Sequence, residues 1–518
     1  MSAPKSNNSD AYSISPMPKF KYRKKDPPPE SFESVRVRRL IILSFWVIII
    51  TIGVPIWWTT TAIFRASLPI NQMLDWANGK ECRPVFPLRI AIKADSLNIN
   101  EAQNLLRTTQ HALDDLNDFS AHHLRLYLLP RNNSIVKDRF FTSTGSEEAL
   151  VIRLIPSNDT KSSLHPYFSI LDIYYTPNQV PSSSSFSSPL ATYITLQLRT
   201  LFSEERAMIS HLLSISNSDH GAEYKPSDAL QKWTSRTMKY SPSYHLTFSL
   251  FTPTSTPTNW PIAHAIERYI NPFIESLRPI SDFSIDTQIQ FYATPGVSGS
   301  KLRKEDLSLF INAAEWPLSP SIGGEPTINF VVYVGDIEIH GGANSWLIPQ
   351  WGGVVILSPS EVEDLRPAML IFAKQLLSLL GAPETGSFPF RLQTLTRVRS
   401  ASLLLKASST LGSLARLTLA LPSIAIPRSV ADGVTKTIVS LHHACEGLGG
   451  HVGLEQARNA ERQAEKAFFE KSMVGQVYFP DEHKIAVYLP LLGPVGVPLV
   501  VGVIKEVKSW YKGRKVSL

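Results

Sequence analysis

The stretch Leu40–Trp58, LIILSFWVIIITIGVPIWW, runs nineteen residues without a charge. A helix rising ~1.5 Å per residue needs roughly 20 apolar residues to cross the ~30 Å of hydrocarbon in a bilayer. The stretch therefore predicts a transmembrane helix. Lys19, Lys21, Arg23, Lys24, Lys25, Arg36, Arg38 and Arg39 precede it, and only Arg65 follows closely. That asymmetry predicts a cytosolic N-terminus. A cleaved signal peptide is the rival reading, but its charged region is short and its apolar core only ~7–15 residues long. Here 39 residues come first, so a retained signal-anchor is expected.

A second uncharged run, Ile485–Ile504, is followed by Lys505, Lys508, Lys512, Arg514 and Lys515. Two spans with basic flanks on one side predict a hairpin-like, membrane-anchored α/β protein. In it, 1–39 is a cytosolic disordered basic tail, 40–58 the first span, 66–484 one large lumenal domain, 485–504 the second span and 505–518 a cytosolic basic tail. The other reading of the second run is a buried core helix, since Pro490, Pro494 and Pro498 each remove a backbone donor. Read as a span, it brings those prolines to one face every four residues. Carbonyls freed by proline in lipid need outside partners, and Gly493 and Gly496 permit close helix approach, which predicts a packing surface.

The net charge of +7 over 518 residues would ordinarily raise nucleic acid as a partner. The positive residues cluster beside the two apolar runs, however, where they act as orientation signals. No nucleic-acid partner is expected. The two cysteines, Cys82 and Cys445, are too few for a disulfide-framed fold. They form one bridge or stay as buried thiols.

Between the spans the pattern alternates strand and helix. Leu88–Lys93 reads as a strand, Asn98 or Asn100 caps a helix carrying Ala102, Leu105, Leu106, Ala112, Leu113 and Leu116, and Leu124–Leu129 reads as a strand. The order returns as Tyr244–Phe251, a helix over Ile262–Leu277, and a strand over Ser284–Ala293. Two related α/β units with mixed sheets flanked by helices are expected. Leu150–Ile155, Ser169–Tyr175 and the near-continuously apolar Ile328–Gly335 add strands, the last covered on both faces. Ser360 and Glu363 match a capping box opening a helix that ends at Gly381. The region of about 360–473 is mostly helical, and near its end Ala457, Ala460, Ala464 and Ala467 share one face.

Chemistry is scarce. Cys445 in HHACEG, with His442 one turn before it, is the minimum for a thiol nucleophile, and His442, His443 and Cys445 lack a second ligand pair for a metal. Gly341-Gly342 and Gly352-Gly353 read as turns. Neither a catalytic residue nor a cofactor or metal site is expected. Asn132 (N-N-S) and Asn158 (N-D-T) are N-glycosylation acceptors in the lumenal part, whereas Asn7 in the tail matches the motif but should stay unmodified.

Four segments in order, PIWWTTTAIFRASLP (Pro55–Pro69), FPLRIAI (Phe86–Ile92), WLIPQWGGVVILSP (Trp346–Pro359) and VYFPDEHKIAVYLPLLGPVGVPL (Val477–Leu499), are similar to the PIG-S family of GPI transamidase components. The resemblance implies a non-catalytic subunit of a multi-pass endoplasmic reticulum membrane complex that joins a precursor's new carboxyl end to a preformed GPI anchor. It further implies that the thiol nucleophile belongs to a caspase-like subunit, PIG-K, with PIG-T, PIG-U and a GPAA-type subunit as companions. Precursor protein or GPI lipid are further partners it implies. The alternative is an independent membrane-tethered lumenal hydrolase using a Cys or Ser nucleophile.

Overall fold

A computed structural model describes residues 31–56, 64–116, 121–130, 148–182, 185, 187–216, 228–256, 260–297, 299–312, 316, 324–422, 424–473 and 481–516. Asn7 and Asn132 lie outside them. The chain divides into two compact units, Met1–Ile63 with Val477–Leu518, and Phe64–Gln476.

In the first unit, helix α1 (Phe32–Ile48) starts eight residues before the apolar stretch, with Ser31 as N-cap, and runs on through a wider turn, Ile49–Gly53. Residues Phe32–Ile56 form a helix long and apolar enough to cross a membrane, none of whose apolar window is buried. The last helix of the chain, Asp481–Val516, continues through Pro490, Pro494 and Pro498. Glu506 on it accepts from Arg38 Nε (2.7 Å) and Arg39 Nε (2.8 Å). A Cβ at Gly502 would meet Ile42. Successive positions on α1 thus meet descending positions on the last helix, so the two run antiparallel.

The second unit is mixed α/β. After a short helix α2 (Ile70–Ala77), strand β1 (Phe86–Lys93) leads to α3 (Ile99–Asp115). Asn98 is the cap: its side chain accepts from Ile99 N–H and the Glu101 carboxylate accepts from Asn98 N–H. Then follow β2 (His122–Leu128), β3 (Glu148–Pro156), β4 (Lys161–Leu164), β5 (Ile170–Tyr175), α4 (Pro189–Leu201) and α5 (Ser203–Ser216). The strands lie in the order β2-β1-β3-β5-β4, all parallel except β4.

After α6 (Asp228–Arg236) the plan repeats: β6 (Ser243–Phe251), a helix α7 running from Ile262 to Leu277 through a wide turn at Ile266–Ile270, and β7 (Asp282–Gln290). A small pair, β8 (Lys301–Leu302) with β10 (Glu338–Ile339), brackets β9 (Thr327–Val334); β11 (Ser345–Ile348), β12 (Gly352–Leu357) and α8 (Arg366–Leu379) follow. The larger sheet is ordered β7-β6-β9-β12-β11, with only β11 antiparallel. Read from the first strand of each unit, both sheets are second, first, third, then a parallel strand with an antiparallel edge. The two related units expected from element order therefore share a topology.

A helical bundle completes the body: α9 (Phe388–Ala420), α10 (Arg428–Glu446) and α11 (His451–Phe468), with α12 the closing helix Asp481–Val516 already described. Ala457, Ala460, Ala464 and Ala467 are buried in this bundle; a Cβ at Gly433 on α10 would press on Ala467. One main core joins the two sheets to the bundle, and a second apolar cluster lies on the far face of the second sheet.

Two local readings are corrected. Ser360 and Glu363 do not open the helix: residues 360–363 form turns, Glu361 instead accepts from Ser358 N–H (2.9 Å), and α8 starts at Arg366 with Pro367 in its first turn. The proline at that position needs no N–H partner, and this outweighs a capping pattern placed one turn too early. Its end is as expected, with Gly381 at φ +89°. Gly352-Gly353 opens β12 and is not a turn. A Cβ on Gly352 would strike the Asn329 carbonyl, and one on Gly353 the Gln375 side chain. Gly341-Gly342, at φ +102° and +74°, is a turn.

Candidate functional site

The richest chemistry of the described body is buried where the first sheet meets the bundle. Glu205, in the first turn of α5, His122, at the start of β2, and Thr394 and Arg397 on α9 are all at most 2% exposed. Arg397 donates from Nε to Glu205 Oε1 (2.6 Å) and from Nη2 to Oε2 (2.7 Å). The Thr394 hydroxyl donates to Oε2 (2.8 Å), and His122 Nε2 lies 3.1 Å from Oε1. The carboxylate is thereby saturated, since two oxygens offer about four acceptor sites. Burial by itself would raise the Glu205 carboxyl, but the Arg397 charge and hydrogen bonds, with His122 behind them, hold it at about 2. A base held that low and enclosed takes no proton from a substrate near neutrality. The cluster is a clamp between three elements.

Beside it lies a cavity of about 370 Å³. Leu88 and Arg89 of β1, Glu148 of β3, Glu275 of α7, and Gln393 and Arg397 of α9 line it. Its charged groups are already engaged: Tyr127 Oη donates to Glu148 Oε1 (2.5 Å), and the Arg89 guanidinium sits 5.1 Å from the Tyr127 ring centroid.

A second constellation has the composition of a hydrolytic triad. Ser284 Oγ lies 2.8 Å from His245 Nδ1, and His245 Nε2 lies 3.2 Å from Asp286 Oδ2. Register explains it: His245 on β6 pairs with Ser284 on β7, and Asp286, two residues on, shares that face of the strand. The arrangement is open where a triad is shielded, with Asp286 61% exposed. The serine hydroxyl also reaches Glu325 Oε2 at 3.4 Å, a carboxylate that draws the proton away from the imidazole. Water at such a site screens the charges that activate a nucleophile.

Cys445 pairs with Cys82 in a disulfide, with Cα atoms 6.3 Å apart. No thiol is then present for the chemistry that HHACEG suggested. His442 packs edge-on against Trp76 at 4.9 Å between ring centroids, and His443 lies 3.8 Å from Glu446. Asn158 is exposed just after β3, and the hydroxyl of Thr160 in its sequon is engaged by Gln179.

Sequence reasoning missed the Glu205 clamp. The stretch LQTLTRVRSASLLL gave little signal: Arg397 stands there with Arg399 and with Gln393, Thr394, Thr396, Ser400 and Ser402, and two arginines among polar residues read as a solvated helix face. Nothing in the sequence pointed to Glu205 as the partner of Arg397, 192 residues away.

The family model for phosphatidylinositol-glycan biosynthesis class S protein matches residues 44–513. Among curated relatives, the GPI-anchor transamidase component PIGS of Rattus norvegicus is 28% identical over 94% of this chain and 98% of its own. The GPI transamidase component PIG-S homolog of Schizosaccharomyces pombe is 30% identical over 93% of this chain and 86% of its own. The GPI transamidase component GPI17 of Saccharomyces cerevisiae is 27% identical over 92% and 93%.

Proposed function

The chain belongs to the PIG-S family and is a subunit of the GPI transamidase complex, and we propose that its part in that complex is accessory, with the catalytic cysteine supplied by another subunit. The observation that carries this reading is the closure of Glu205: the most chemically endowed cluster in the body spends all its acceptors holding three elements together. Cys445, tied to Cys82, adds to it. Companions are a caspase-like PIG-K, PIG-T, PIG-U and a GPAA-type subunit, and the body holds them or helps present precursor and lipid.

The protein resides in the endoplasmic reticulum membrane with two spans, both termini cytosolic and the residues between the spans lumenal. What supports this topology is the antiparallel run of α1 and α12, joined through Arg38, Arg39 and Glu506, which brings the two basic ends to one side. The open side of Gly493 and Gly496, where an added Cβ would meet nothing within 4 Å, supports a packing role for α12. Asn158, exposed beside a hairpin, carries an N-glycan in the lumen, as does Asn132. Because the Thr160 hydroxyl is engaged once folded, modification of Asn158 precedes folding.

Gentle purification of the tagged full chain from membranes tests the assignment. Stoichiometric companions that include a caspase-like protein are expected. A lone protein that itself hydrolyses substrate would return the independent-hydrolase reading.

A further inference from the structure

The folded body begins at Phe64, eight residues beyond Ile56 at the end of the apolar helix. Extended chain covers at most ~3.4 Å per residue, so Phe64 stays within roughly 27 Å of that helix end. Here the entering chain is fastened to the loop after α9. Ala66 N–H donates to Ile426 O (2.8 Å), and Ile426 N–H donates to Phe64 O (3.1 Å). The Arg65 guanidinium donates to the carbonyls of Thr418 (3.2 Å) and Leu421 (3.4 Å), capping the last turn of α9. The Arg428 guanidinium lies 5.6 Å from the Phe64 ring centroid.

Around these two cations the apolar side chains turn outward. Phe64 is 54% exposed, Leu419 58% and Leu421 37%. Fastened in this way, an aromatic ring, two leucines and two guanidiniums form one small surface at the entry of the chain into the body. Water rewards the arginines there and not the carbon. A bilayer interface rewards both, because aromatic and aliphatic groups enter the headgroup–acyl boundary while arginines reach phosphate oxygens.

We propose that Phe64, Leu419 and Leu421, with Arg65 and Arg428, form a lipid-contacting patch that seats the lumenal body on the bilayer interface. The occupant is the phosphate-bearing surface of the membrane that α1 crosses, and the inference rests on the reading of α1 as a span. Three of the five N–H donors of the Arg65 guanidinium remain for lipid after its two bonds to carbonyls. The tether length keeps the patch within reach of that surface, and the charge sign matches it.

The test uses the full chain with its disulfide intact, so that only an introduced cysteine takes a label. Leu419→Cys and Leu421→Cys, each carrying a nitroxide, are reconstituted in phosphatidylcholine–phosphatidylserine vesicles. Relaxation by oxygen is compared with relaxation by a water-soluble nickel chelate. Tyr167→Cys, at a residue 74% exposed, gives the aqueous reference, and Ile48→Cys reports on α1. The oxygen-to-nickel ratio at 419 and 421 should exceed that at 167 by about threefold or more, as for interfacial depth. An aqueous ratio at both sites with Ile48 reading as hydrocarbon overturns the patch and leaves the anchor standing. Shielding from both reagents alike means protein contact and also overturns it. An aqueous reading at Ile48 overturns the anchor and, with it, the patch.

Discussion

The two sheets repeat one strand order and one set of directions, yet they use their second faces in different ways. In both, one face enters the main core: Leu88, Ile90 and Ile92 of β1 in the first, Ile328, Phe330 and Val332 of β9 in the second. The other face of the second sheet, with Phe251, Val331, Tyr333, Trp346, Val354 and Ile356, is covered by Phe310 and Trp316. The other face of the first sheet mixes buried Ala91 and Val151 with charged residues. Register places Arg89 beside Arg125, Tyr127 beside Ala91, and Lys93, Arg153 and Asp172 in one row, with Arg153 and Asp172 joined by two hydrogen bonds of 2.7 and 2.6 Å. Connection order fixes topology, whereas the composition of a face is set by what covers it. The first half depends instead on the Glu205 clamp to the bundle, and the second on its aromatic cover.

Substitutions separate these two modes. The largest effect belongs to the clamp: Glu205→Ala leaves Arg397 buried without its partner, at a cost of about 3–5 kcal/mol. Denaturant unfolding of the detergent-solubilised chain reads it. Replacing both Glu205 and Arg397 by Met should recover most of the loss, and failure to recover would mean that the pair does more than fix packing.

The same clamp gives a pH dependence. Its carboxyl is depressed from 4.5 to about 2. The stabilisation is therefore full above 4.5 and lost as pH falls through about 2, amounting to about 3 kcal/mol. Glu205→Gln should flatten that acid limb in an unfolding series, and an unchanged limb would place the sensitivity elsewhere.

Next in size is the cover. Trp316, stacked on Phe251 at 4.3 Å and donating to Thr294 O (3.0 Å), should cost about 3 kcal/mol as Trp316→Ala. Hydrogen exchange should rise first in β9 and β12, with β1 and β3 unaffected; equal loss in both sheets would break the comparison. The mixed face comes last. With Arg153 44% exposed, Arg153→Ala should cost at most about 1 kcal/mol, by the same denaturant assay.

The sequence made the strands and helices of both halves readable because apolar residues recurred at strand and helix periods, as in Ile328–Gly335 and around Leu105. The repeat was legible as element order. What covers each far face was not, because Phe310 and Trp316 sit in irregular connections that carry no period. The clamp stayed hidden for a related reason: Glu205 follows another glutamate in FSEER, a pattern that reads as solvated. Ser284, His245 and Asp286 meet only through the pairing of β6 with β7, and strand partners are not written in a single sequence.

An accessory role predicts that chemistry survives the loss of the triad-like serine and histidine. In membranes from cells lacking their own copy, the full chain carrying Ser284→Ala and His245→Ala is supplied, the assembled complex is quantified by its co-purifying subunits, and transamidation is measured per complex. The account predicts a rate within about twofold of the unsubstituted chain. A fall of about a hundredfold or more with assembly intact, the scale expected of a nucleophile or general base, would contradict it.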